Sequence, residues 1–177
     1  MALPPLVRRV CHEKLSRFDV DIYEPPFRIK RGRFAEKFDD FDNALLFLAS
    51  ACDVILVVLD ADDDCPVDLA AGLRVRGKNA IGHKQVEVVV AQKEFECWLL
   101  AAVDSLRGFR GVAEDAECPA NVEDIRGAKG RLESMMKSGV YSETVDQVKF
   151  ACQIDLDTAS RNARSFRKLS GSSGLRV

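Results

Sequence analysis

The chain opens with apolar positions at helical spacing. Leu3, Leu6, Val7, Val10, Cys11 and Leu15 recur at i, i+3, i+4, i+7, i+8 and i+12. This predicts an amphipathic helix over 3–15, with Arg8, Arg9, His12 and Glu13 on its wet side. Pro4 and Pro5 fall in the first turn, where a missing N–H is tolerated. The period then changes: Val20 and Ile22 alternate with Asp19 and Asp21, predicting a short strand over Phe18–Tyr23 that Pro25 and Pro26 end. Phe38, Phe41, Leu45, Leu48 and Cys52 restore the helical spacing and predict a helix over 34–51.

Two runs have no polar alternation at all. Val54–Leu59 and Val86–Ala91 are mostly β-branched, as expected of strands covered on both faces in a parallel sheet. Between them, 66–75 reads as a helix begun by Pro66, and 76–85 as a polar, glycine-containing turn with His83 as an exposed loop residue. Cys97–Leu106 is apolar nearly all round, which predicts a helix packed between other elements. A loop over 107–120 precedes helices over 122–136, 144–154 and 156–169, and the tail from Ser170, SGSSGLRV, has a disordered composition. Strands alternate with helices first, and helices follow alone. The expected class is α/β, a mostly parallel sheet flanked by helices with a helical C-terminal extension.

The 177 residues suit one domain, over 1–169, with 170–177 as a flexible tail. A net charge of −2 gives no global basic field, so nucleic-acid binding needs a local patch. Six scattered cysteines without a CxxC pair, and only two histidines, argue against zinc and for reduced thiols. No apolar run approaches the roughly 18 residues of a membrane span, and no signal peptide is visible. A soluble, cytoplasmic protein is expected.

The chemistry concentrates where the first buried strand ends. In DVILVVLDADDDCP, Asp60, Asp62, Asp63 and Asp64 follow the apolar run. The carboxyl ends of strands are where open α/β sheets bind ligands. Clustered carboxylates repel unless a cation intervenes, and hard oxygen donors suit Mg²⁺ or Mn²⁺. The plainer alternative is a solvated turn, with an Asp capping the helix that starts at Pro66. An EF-hand is excluded, because counting from Asp60 the sixth residue is Cys65 instead of Gly and the twelfth Ala71 instead of Glu. Lys93, Glu94 and Glu96 follow the second strand. Within a regular helix Glu94 and Glu96 would point about 200° apart, so they reach one ion only if Glu94 lies in the preceding loop. Otherwise Glu96 is a first-turn acid favoured by the helix dipole. The segment FRIKRGR, with Arg28, Lys30, Arg31 and Arg33 around Gly32, could track a phosphate backbone or be a charge-protected edge. Arg161, Arg164, Arg167 and Lys168 form a second basic stretch near the end.

With DVILVVLDADDDCP go AQKEFECWLLAA, Tyr141-Ser142 with Asp146-Gln147, Ser165 to Leu169 (SFRKL), and ALPPLVRRV at the start. Together they resemble a Toprim-related bacterial family of unknown function, often encoded near ATPases of the phage-defence type. The resemblance covers nearly the whole chain. It implies a Toprim-like sheet whose DxD pair, here Asp60 and Asp62, holds Mg²⁺ or Mn²⁺ for phosphoryl transfer, with Asp64 nearby. Glu94 and Glu96 resemble the further acids of the nuclease branch. In Toprim folds a Glu after the first strand completes the site, and this sequence begins beyond the place for that strand.

The resulting expectation is a metal-dependent nuclease acting on nucleic acid, DNA rather than RNA. Asp60, Asp62 and Asp64 would hold metal, and Lys93, Glu94 and Glu96 would take part in catalysis. Arg28, Lys30, Arg31, Arg33, Arg167 and Lys168 would hold the backbone. The competing expectation is a catalytically degenerate module docking on a partner ATPase. Either reading allows a homo-oligomer. A receiver-like phosphoacceptor, with Asp60 and Lys93 at successive strand ends, lacks the acid pair it needs after an earlier strand.

Overall fold

The computed structural model describes residues 1–29, 40–82 and 84–171. Its helices are α1 (Leu3–Arg9), α2 (Asp40–Ala51), α3 (Pro66–Ile81), α4 (Glu96–Leu100), α5 (Ala128–Ser134), α6 (Asp146–Gln153), α7 (Leu156–Asn162) and α8 (Arg164–Ser170). The strands are β1 (Val54–Asp60) and β2 (Gln85–Ala91). The class is mixed α/β, with the C-terminal part all helical. Among the described residues the sheet has two strands, paired in parallel from Val54 opposite Gln85 to Asp60 opposite Ala91, with α3 as the crossover.

Both strands carry apolar side chains on both faces. Leu56, Val58, Val89 and Ala91 pack into one core, and Ile55, Val57, Val88 and Val90 into the other. Two covered faces at period two explain the unbroken apolar runs. The first core surrounds α4. Trp98, Leu99 and Leu100 are fully buried there with Leu6, Leu132, Phe150, Phe166 and Leu169. The second lies between the sheet, α2 and α3, around Phe41, Leu45, Leu73 and Ile81. β1 is half-buried along most of its length, whereas β2 is buried from Val88 onward. Among the described residues β2 is the one strand paired with β1.

Several predicted boundaries shift, each for a physical reason. Residues 18–23 form no strand; Val20 and Ile22 are half-buried against the first core, so their alternation reports a covered face without backbone pairing. The polar stretch after Val75 continues α3 to Ile81. Gly77 is buried there, and a Cβ added to it would meet the Val86 side chain at 3.1–3.2 Å. The glycine lets helix and strand approach closely. The apolar segment after Cys97 is helical to Leu100 and resumes as a 3-10 turn over Val103–Leu106. The predicted helix over 122–136 breaks at Gly127, whose φ is +67°. The one over 156–169 breaks at Ala163, which is extended. The first helix continues beyond Arg9 as a π-helical turn, Val10–Lys14. All six cysteines are free.

Candidate functional site at the strand rim

The acidic segment folds as a tight turn laced to the end of β2. Beyond Asp60 the Ala61 N–H donates to the Ala91 carbonyl at 2.9 Å, and the Asp62 N–H to the Lys93 carbonyl at 3.2 Å. The Asp64 N–H closes the turn on the Ala61 carbonyl at 2.9 Å. Asp62 takes a left-handed conformation, φ +51°, which Asp tolerates better than most residues. The residue before Pro66 is pushed to extended backbone, and Cys65 is the cap of α3, without a side-chain hydrogen bond. The expected Asp cap on this helix does not form.

Asp60 sits in the most strained electrostatic position of the turn. Burial, then the charges of Glu96, Asp62 and Glu94, push its carboxyl up to about 7, against a hydrogen bond from the Phe95 backbone. Glu96 is the first residue of α4 and is buried. It accepts hydrogen bonds from Gln147 Nε2 at 2.9 Å and Tyr141 Oη at 3.3 Å. Burial raises its carboxyl above the usual range, and the Gln147 hydrogen bond opposes that. Burial followed by the Glu96 charge pushes the Tyr141 phenol up as well. Glu94 precedes α4, in the loop the angular argument required. Its carboxylate accepts from the Gly127 N–H at 2.6 Å and the Lys129 N–H at 3.4 Å, tying the start of α5 to the rim.

The four aspartates do not act as one group. Asp60 feels the charges of Glu96, Asp62 and Glu94, whereas Asp63 pairs with Arg126 at 2.7 Å and Lys93 at 3.5 Å. Lys93 Nζ also donates to the Asp62 carbonyl at 2.8 Å, which holds one positive charge over the turn. Asp64 lines a trough with Lys93 and Lys168. Among the described residues no three His, Cys, Asp or Glu side chains converge to hold a metal ion. Arg28 donates to the Met1 thioether. Arg167 and Lys168 are exposed on α8. Lys30, Arg31 and Arg33 lie outside the described residues, as do 34–39 of the predicted second helix, His83 and 172–177.

Residues that the pattern reading left without a role complete the site. Tyr141 and Gln147 secure Glu96, and the Ser142 N–H donates to Asp146, itself paired with Arg110 at 2.8 Å. Glu123 accepts from the backbone N–H groups of Arg164 (2.6 Å) and Ser165 (2.8 Å), and from the Ser165 hydroxyl. Trp98 Nε1 donates to the same hydroxyl oxygen at 2.7 Å. The paired motifs Tyr141-Ser142 and Asp146-Gln147 were the signal available in sequence.

Over residues 2–171 the chain matches the family model described as "Domain of unknown function (DUF4276)". The chain belongs to this family. No curated protein and no solved structure matches it. The DUF4276 match takes in the acidic turn, the glutamates of the α4 entry and the whole of α8. No helix among its described residues is long and apolar enough to cross a membrane.

Proposed function

We propose that the chain is a Toprim-like phosphoryl-transfer domain, dependent on Mg²⁺ or Mn²⁺ and cutting nucleic acid, DNA rather than RNA. The observation that carries the reading is Asp60 at the end of β1, on whose carboxyl the charges of Glu96, Asp62 and Glu94 all act. Their shared negative charge is what a hard divalent cation offsets. The first ligands in this reading are the DxD pair, Asp60 and Asp62, with Asp64 as an auxiliary acid, while Glu94 and Glu96 are engaged by Gly127, Tyr141 and Gln147. A cation there would polarise a phosphodiester and make a water more acidic. Lys93, held over the turn, would offset charge developing on the phosphate. Toprim kinship and a phage-defence setting are proposed with it, on the resemblance carried by the DxD turn and its flanking motifs. The test is Mn²⁺-dependent cleavage by Asp60→Ala combined with Asp62→Ala. Cleavage should disappear while the circular dichroism spectrum is kept; undiminished cleavage rejects the assignment.

A second reading is a non-catalytic module that docks on a partner ATPase. The neutralisation of Asp63 by Arg126 and Lys93 favours it, as do the hydrogen bonds that occupy Glu94 and Glu96. Mn²⁺ titration separates the two. A working site raises the melting temperature with Mn²⁺ in the wild type and not in the double variant, whereas a degenerate site leaves both unmoved.

A further inference from the structure

On α8 the side chains divide by face. Ser165, Phe166 and Leu169 are buried, and Arg164, Arg167 and Lys168 are exposed. Spacing of i, i+3 and i+4 puts the three cations on one stripe. Many surface charges elsewhere are paired, as in Arg9–Glu13, Arg17–Asp19, Arg76–Asp42 and Lys129–Glu143. The cations left unpaired there among the described residues, such as Lys78, Arg131 and Lys149, line neither of the two troughs described below. The α8 cations make no ion pair among the described residues. The stripe is also held in place. Glu123 and Trp98 fasten Ser165, and Phe166 packs edge-on against Trp98 at 5.5 Å.

The stripe faces a concavity. Arg164, Arg167 and Lys168 line a trough of about 510 Å³ with Arg74 of α3 and with Val88 and Val89 of β2. Arg74 is fixed by donating to the Val88 carbonyl at 2.9 Å. Glu87 is the one acid on this lining, and it accepts a hydrogen bond from Gln85. A second trough of about 360 Å³ shares Arg164 and Lys168 and runs on to Lys93 and Asp64 at the acidic turn. The cations of α8 thus lead to Asp64 and Asp124, beside the turn that carries Asp60 and Asp62.

We propose that this double trough binds the phosphodiester backbone of a nucleic-acid strand, with Arg74, Arg164, Arg167 and Lys168 as its phosphate contacts. The inference rests on the nucleic-acid part of the function proposed above, and supplies the path by which a strand reaches the acidic turn. In the first trough four cations face a single acid, Glu87, and in the second Asp64 and Asp124 face Lys93, Arg164 and Lys168. A polyanion relieves the excess positive charge while releasing its own counterions. The chain as a whole is net negative, so a polyanion is repelled elsewhere and oriented here. A trough with cations on both sides suits a strand, whereas a lipid surface needs a flat or convex basic face.

The experiment is fluorescence anisotropy of a labelled oligothymidylate with the full chain in EDTA, over a salt series. Metal-dependent chemistry plays no part in that measurement, so its failure and that of the cleavage reading are told apart. The variant Arg164→Ala/Arg167→Ala/Lys168→Ala keeps the buried face of α8. It should weaken binding at least tenfold at low salt and reduce the slope of log affinity against log salt by about 2, since each lost single-strand phosphate contact removes ~0.7. Arg164→Lys/Arg167→Lys, which keeps all three charges, should retain most of both, and Arg164→Ala/Arg167→Ala, which keeps Lys168, should reduce the slope by only about 1.4. The control Arg131→Ala/Lys149→Ala, outside the troughs, should leave binding in place. Undetectable binding by the wild type, an unchanged slope in the triple variant, or equal competition by polyglutamate or anionic vesicles would each overturn the assignment.

Discussion

Gln147 donates a hydrogen bond of 2.9 Å to the buried carboxylate of Glu96, joining α6 to the first residue of α4 across 51 positions of chain. That contact holds a negative charge near Asp60, at the end of β1. The behaviour of the rim follows from these neighbours. Glu96→Gln removes the charge and keeps the shape, so the Asp60 carboxyl should titrate below its present value of about 7. Carbon-detected NMR titration of Asp60 checks this, and an unmoved titration would mean that burial alone sets it.

Asp60 also makes stability depend on pH. Its folded-state value of about 7 lies above the ordinary aspartate value of 3.8, so between these the folded state holds the proton more tightly. Stability from this group is full below the lower value and is lost as pH rises through the upper one. Asp60→Asn should therefore stabilise the protein by up to about 4 kcal/mol at alkaline pH and by little near the lower value, without added metal. Urea unfolding across that range measures it; a difference independent of pH would contradict the assignment.

Two glycines of α3 should respond oppositely to alanine. Gly72 is exposed and meets nothing within 4 Å, so Gly72→Ala should stabilise by ~0.5–1 kcal/mol through helix propensity. Gly77→Ala drives a methyl into Val86 and should cost ~1–3 kcal/mol. Thermal unfolding of the pair provides the comparison, with Gly77→Ala/Val86→Ala expected to recover part of the loss.

The start of α8 depends on a side chain from a 3-10 turn, Val122–Asp124. Glu123→Ala strips acceptors from two backbone N–H groups and a hydroxyl, and should cost ~1–3 kcal/mol. Faster amide hydrogen exchange over 164–170 would localise the effect, while uniform exchange changes would show that Glu123 acts on the whole fold.

Apolar periodicity by itself determined the two strands, their burial on both faces and the helical character of the C-terminal part, because period and hydrophobicity are local properties of the chain. It also placed the acidic turn at a strand end, but left open whether Glu94 precedes the helix that Glu96 begins. It could not determine where helices stop. Gly127 and Ala163 break continuous patterns to bring backbone N–H groups to Glu94 and Glu123, and those acids are 33 and at least 41 residues away in sequence. Nor could it divide the aspartates, since Asp60 meets Glu96 through burial while Asp63 meets Arg126, 63 residues on. The exposed stripe of α8 was readable as basic, but its partner Arg74 comes from α3, and only packing of both helices on β2 sets them about one trough. Charge pairing and concavity are long-range properties, fixed when the chain closes on itself.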